Sequence, residues 1–139
     1  PRLPDVRWLV PGEWNCRHPD AIASESFGLS FTDLLCSVDA VITKPGYGTF
    51  TEAACNGTPV LYQRRMDWPE QDCLIEWLER HGACQEVPAA SLQTGELAES
   101  LDALRQTGFV LKPLPSGAIE AAAKIYAAMT FSQQTLATP

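Results

Sequence analysis

The sequence predicts an α/β domain built on a parallel sheet, and three observations carry that prediction. Unbroken apolar runs at residues 40–43 and 59–62 read as strands covered on both faces. One helical stretch separates each such run from the next, so crossovers join the strands and they run parallel. Glycines at 46, 48, 57 and 82 stand where the segments change. The 139 residues read as a single domain on the usual prior of roughly 100–200 residues per domain. A chain of that length buries about two-thirds of its unfolded surface, enough for a core.

The elements follow in chain order. Residues 1–30 carry the weakest signal. Arg7-Trp8-Leu9-Val10 reads as a short strand closed by Pro11-Gly12. Residues 13–26 are polar and irregular, with Cys16, His18 and Pro19 among them, and read as a loop with room for one helical turn. Phe31, Leu34, Leu35 and Val38 then recur at helical spacing, and Ser30 or Thr32 can cap that helix. After the strand at 40–43 comes Lys44-Pro45-Gly46-Tyr47-Gly48, a loop that a helix cannot enter. Thr49 and Glu52 have capping-box spacing, which predicts a helix from Thr49 to about residue 56, stopped by Gly57. Residues 59–62 are the next strand and 63–69 a polar and aromatic loop. The helix at 70–81 places Leu74, Trp77 and Leu78 on one face and ends at Gly82. A short strand at 83–87 and helices at 96–105 and 117–131 complete the order, with Ser116 as the cap of the last. Residues 132–139 read as a frayed tail. No internal repeat or low-complexity tract is visible.

Composition narrows the function classes. Hydrophobic residues make up 45% and charged residues 19%, an ordinary globular balance. Ten Lys and Arg against 17 Asp and Glu give a net charge of −7. That charge argues against binding to nucleic acid or to an anionic membrane surface. An anion must therefore be held by local donors. The most apolar stretch, 118–129, is interrupted by Glu120 and Lys124. No run reaches the ~18 residues that predict a transmembrane segment. The N-terminus has no signal-peptide apolar region, and the absence of an initiator Met suggests a piece of a longer chain. The five cysteines (Cys16, Cys36, Cys55, Cys73, Cys84) are odd in number and form no C-x-x-C pair. They read as reduced thiols of a cytoplasmic protein.

The candidate chemistry lies between Asp39 and Gly82. In an open parallel sheet, ligands sit beyond the carboxyl ends of the strands. Two loops there carry unusual residues, 44–49 and 63–71. Gly46 and Gly48 clear side chains from a helix start. This exposes the N–H groups of Thr49, Phe50 and Thr51 at the positive end of the dipole, a site suited to phosphate. Alternatively the glycines only make the turn. The loop is not a P-loop, because no G-K-[ST] follows, and the third glycine of the dinucleotide fingerprint is missing. Glu52 is either the capping-box partner or an acceptor for a vicinal diol such as a ribose. Lys44 is either solvated or an ammonium on a phosphate. Arg64 is either a second phosphate clamp or a solvated loop charge. Trp68 either walls a sugar site or packs on its own helix. Neither histidine reads as a base: His18 lies in the irregular segment, and His81 sits at a helix end, where it favours the dipole.

The run Val38-Asp-Ala-Val-Ile-Thr-Lys-Pro-Gly-Tyr-Gly-Thr-Phe-Thr-Glu-Ala-Ala-Cys-Asn-Gly-Thr-Pro-Val-Leu resembles the donor-binding half of the two-domain GT-B glycosyltransferases. It is most similar to glycosyltransferase family 28, which includes the N-acetylglucosaminyltransferase that forms lipid II, and also resembles the signature box of plant glucosyltransferases. The shared pattern is an Asp-led apolar strand (Asp39), the Gly46/Gly48 turn, T-x-x-E from Thr49 to Glu52, a helix of small residues, and Gly57-Thr58-Pro59 before the next strand. Glu70-Gln71, followed by Gly82, extends it. The resemblance covers residues 27–87 well and the last helices loosely.

It implies a Rossmann-like three-layer domain with a parallel sheet, one half of a GT-B fold. The implied activity is transfer of a sugar from a nucleotide diphosphate donor, a UDP-sugar, to an acceptor hydroxyl, with no metal or other cofactor. Lys44, Gly46, Gly48, Thr49, Phe50, Thr51 and Arg64 would hold the diphosphate. Glu52 would hold the ribose, Glu70 and Gln71 the donor sugar, and Phe27, Gly28 and Leu29 the base. The acceptor domain, which the resemblance places N-terminal and which usually supplies the base, has no room in this chain, so the catalytic residue stays unassigned. Two positions depart from the pattern. Gln63-Arg64-Arg65 replaces an apolar segment ending in Pro, and Leu74 replaces an Asn common in relatives. The alternatives are the nucleotide-binding domain of a nucleotide-sugar epimerase or a sugar-kinase-associated protein, or a non-catalytic nucleotide-binding module.

Overall fold

A computed structural model describes residues 3–107 and 117–135. The elements are β1 (Trp8–Val10), β2 (Ala21–Ala23), α1 (Phe31–Ser37), β3 (Val41–Thr43), α2 (Tyr47–Asn56), β4 (Val60–Tyr62), α3 (Gln71–His81), β5 (Cys84–Glu86), α4 (Ala89–Thr94), α5 (Ala98–Gln106) and α6 (Ala118–Thr135). Single 3-10 turns stand at Gly12–Trp14 and Ser24–Phe27. The expected Ser116 cap and residues 136–139 lie outside the described residues.

Both sheets are parallel. β1 pairs with β2, and β3, β4 and β5 form a second sheet in that order. Val41 stands opposite Val60 and Thr43 opposite Tyr62; Val60 stands opposite Cys84 and Tyr62 opposite Glu86. Each connection in this sheet carries one helix, as the crossover argument expects. β4 is the central strand and is buried throughout. Its side chains alternate between faces. Val60 and Tyr62 join Leu35, Phe50, Ala53, Ala54, Leu74, Ile75 and Leu78, so α1, α2 and α3 cover one face. Leu61 joins Ala83, Val87, Leu97 and Leu104 on the other, with Trp8, Ile42 and Leu101 packed beside them. The protein is thus a mixed α/β structure with a parallel sheet between helical layers.

Three expectations need correction. Residues 13–26 contain the strand β2. Its Ala-Ile-Ala is too short to show a period, and pairing with β1 makes it a strand. The six-residue α4 falls between the predicted strand and the next helix, where only Leu92 offers an apolar anchor. Finally, α2 begins at Tyr47, with Gly46 as its N-cap in an extended conformation and no side-chain cap. Thr49 is therefore inside the first turn, and no Thr49/Glu52 capping box forms. The Thr51 hydroxyl instead donates to the Tyr47 and Gly48 carbonyls, at 2.6 and 3.0 Å. The Phe50 N–H donates to the Gly46 carbonyl at 3.1 Å. The N–H groups left without an intrahelical acceptor are those of Tyr47, Gly48 and Thr49, two residues earlier than expected.

Elsewhere the caps match. Ser30 Oγ accepts from the Asp33 N–H and caps α1. Gly57, at φ +71°, ends α2, with its N–H directed to the Ala53 and Ala54 carbonyls. All five cysteines are free thiols; Cys55 is half-buried. No helix among the described residues is long and apolar enough to cross a membrane.

Candidate functional site

The carboxyl ends of β3 and β4 deliver two loops, one leading into α2 and the other into α3. Pro45 is buried and anchors the first loop. Lys44 beside it is exposed, and its ammonium forms no ion pair among the described residues. The unpaired N–H groups of α2 follow immediately. A Cβ added at Gly48 would meet nothing within 4 Å, so the helix start is open.

The second loop is tied down by side chains. The Gln71 amide makes two hydrogen bonds of 2.8 Å to the main chain of Arg65, accepting from its N–H and donating to its carbonyl. The Arg65 guanidinium carbon lies 5.2 Å from the centre of the Trp68 ring. The Trp68 ring meets Tyr47 edge-on, with centroids 5.7 Å apart. The Tyr47 hydroxyl donates to Glu70 Oε2 at 2.7 Å. That hydrogen bond is the first cause of the upward shift of the Tyr47 phenol from its ordinary value. The two loops are therefore joined: the first residue of α2 is bonded to the residue that precedes α3.

Arg64 has a different environment. Its Nε donates to Glu86 Oε2 at 3.1 Å, and its Nη1 donates to Asp72 Oδ1. The bond to Asp72, and then that to Glu86, push the guanidinium above its ordinary range. Glu52 is half-buried on α2, and its carboxylate makes no hydrogen bond or ion pair among the described residues. Phe27 ends the Ser24–Phe27 turn, and Gly28 and Leu29 follow it. Gly28 sits at φ +63°, and Phe27 and Leu29 are about half exposed.

The structure thus brings Glu70 and Gln71 into one cluster with the start of α2. Within that cluster, Tyr47, Arg65 and Trp68 are the connecting residues. Sequence reasoning passed over Tyr47, because its partner Trp68 is 21 residues away, and it chose Arg64 rather than the adjacent Arg65. The available signal was the aromatic between Gly46 and Gly48. Neither histidine joins the cluster. His81 Nδ1 is 2.7 Å from the Trp77 carbonyl, and its ring stacks on Trp77. His18 Nδ1 accepts from the Asp20 N–H at 3.2 Å. No group of three His, Cys, Asp or Glu among the described residues is placed to hold a metal ion. A separate concavity of about 500 Å³, lined by Leu3, Pro4, Asp5, Val6, Arg7 and Asp20, lies at the amino ends of β1 and β2 and contains none of these residues.

No protein-family model, curated protein or solved structure matches this chain.

Proposed function

We propose that this chain is the donor-binding half of a GT-B glycosyltransferase, with a Rossmann-like architecture, and that it holds a UDP-sugar at the carboxyl ends of β3 and β4. The reading is supported above all by the Tyr47–Glu70 hydrogen bond of 2.7 Å. It puts the residue assigned to the sugar beside the helix start assigned to the diphosphate, as a single elongated ligand requires. The N–H groups of Tyr47, Gly48 and Thr49 and the Lys44 ammonium supply the local positive potential that a chain of net charge −7 lacks overall. The Gly46–Gly48 turn, with Phe50 and Thr51 behind it, keeps that edge clear. Glu52 takes the ribose hydroxyls, Glu70 and Gln71 the sugar, and residues 27–29 the base. In transfer, the helix start and Lys44 stabilise the leaving diphosphate as its charge develops, a role that needs no metal. The acceptor and the general base belong to an N-terminal domain that this chain would partner.

Calorimetry with UDP, a UDP-sugar and inorganic pyrophosphate tests the reading. A charge-assisted hydrogen bond is worth about 1.5–3 kcal/mol, so Lys44→Ala should weaken all three ligands roughly ten- to a hundredfold. Glu52→Ala should weaken the two ribose-bearing ligands and leave pyrophosphate unchanged. An equal effect of Glu52→Ala on every ligand, or no effect on any, would remove the ribose assignment and with it the nucleotide-sugar reading.

A further inference from the structure

The chain carries two adjacent arginines after β4, and the structure treats them oppositely. Arg64 is bonded to two carboxylates, Asp72 and Glu86, and its charge is neutralised within the protein. Arg65 has no carboxylate partner among the described residues. Its guanidinium lies over the face of Trp68 instead, 5.2 Å from the ring centre. A guanidinium over an indole gains cation–π attraction while its N–H donors, which lie in its own plane, remain available around the edge.

The placement is held firmly. The Gln71 amide pins the Arg65 main chain through both of its polar groups. The Trp68 ring is itself braced against Tyr47, the first residue of α2. One indole therefore contacts both the uncommitted guanidinium and the side chain of the first residue of α2. A planar fork of donors matches the oxygens of a phosphate better than a point charge does.

Resting on the nucleotide-sugar reading above, we propose that Arg65, and not Arg64, is the guanidinium that clamps the donor diphosphate, and that Trp68 is the residue that positions it. Arg64 is then a structural tie between the loop, α3 and β5. The expectation that placed the clamp at Arg64 moves by one residue.

UDP and pyrophosphate affinities of four variants, measured by calorimetry at one fixed salt concentration, test this. Arg65→Gln should weaken both ligands roughly ten- to a hundredfold, as expected for loss of a charge-assisted contact. Arg65→Lys should recover part of that loss, because the charge returns without the fork. Trp68→Leu should weaken both ligands although no charge changes. Arg64→Gln should leave both affinities within about threefold of the native protein, while its urea midpoint falls as Asp72 and Glu86 lose their partner. Unchanged affinity in Arg65→Gln, or a larger loss in Arg64→Gln, overturns the assignment while native binding of UDP leaves the nucleotide-sugar reading intact. If the native protein binds neither ligand, both the reading and this assignment fall.

Discussion

Thr58 shows how much a single buried polar group can decide. It is 5% exposed, and its hydroxyl donates to the Leu35 carbonyl at 2.8 Å. Its N–H donates to the Ala53 carbonyl at 2.9 Å. One residue thus fastens the end of α1 and the end of α2 to the entrance of β4. Thr58→Val keeps the shape and removes the donor, leaving a buried carbonyl without a partner. The expected cost is about 1–3 kcal/mol, read as a fall in the urea midpoint, while Thr58→Ser should retain most of the native stability. Equal losses in the two variants would show that the methyl group, and not the hydroxyl, carries the effect. The sequence placed Thr58 in a turn but said nothing of Leu35, which is 23 residues away. Tyr47 was hidden for the same reason: it meets Trp68, 21 residues away, and no local pattern records such a pairing.

At the scale of elements, the segment from β3 to β5 was legible because its signals are local and agree with one another. Apolar runs, helical spacing and glycine stops each mark the same boundaries. Gly57 illustrates this, being both the predicted stop and a residue at φ +71°. An L side chain in that conformation is strained by about 1–2 kcal/mol. Gly57→Ala should lower stability by that amount in urea denaturation, and an unchanged midpoint would mean that the turn relaxes to another conformation. The start of α2 was misplaced because T-x-x-E is a good cap signal and Gly48 a poor helix former. The backbone turns helical as soon as it passes Pro45 and Gly46, and the Thr51 hydroxyl back-bonds to the first turn. β2 and α4 are too short to carry a period and exist through their neighbours. For the candidate site this means that the presence of a helix after the 44–46 loop was legible, whereas which N–H groups its start leaves unpaired was not.

Taken whole, the molecule hangs on β4, whose side chains feed two apolar clusters on opposite faces. That covering of both faces was legible because a strand apolar at every position must be covered twice. The same burial makes the whole fold sensitive to alkali. Burial first, and then nearby negative groups, push the Tyr62 phenol up to about 12 from an ordinary value near 10. Burial pushes the Cys84 thiol up to about 11. For groups whose folded values are raised, the stabilisation is complete below the unfolded value. It is lost as pH climbs, because the unfolded chain releases its proton first. Stability should therefore begin to fall above pH about 9 through Cys84 and continue to fall from about 10 to 12 through Tyr62. At 1.36 kcal/mol per unit, the Tyr62 share is on the order of 3 kcal/mol. Rising negative charge on a chain already at −7 adds a general repulsion in the same direction, so the native curve alone does not isolate the phenol. Tyr62→Phe does, since it keeps the ring and removes the titrating proton. Urea midpoints followed by tryptophan fluorescence from pH 8 to 12 should decline steeply for the native protein and more gently for Tyr62→Phe above pH 10. Parallel curves for the two proteins would mean that Tyr62 titrates alike in the folded and unfolded chains, and that the central strand is wetter than its packing indicates.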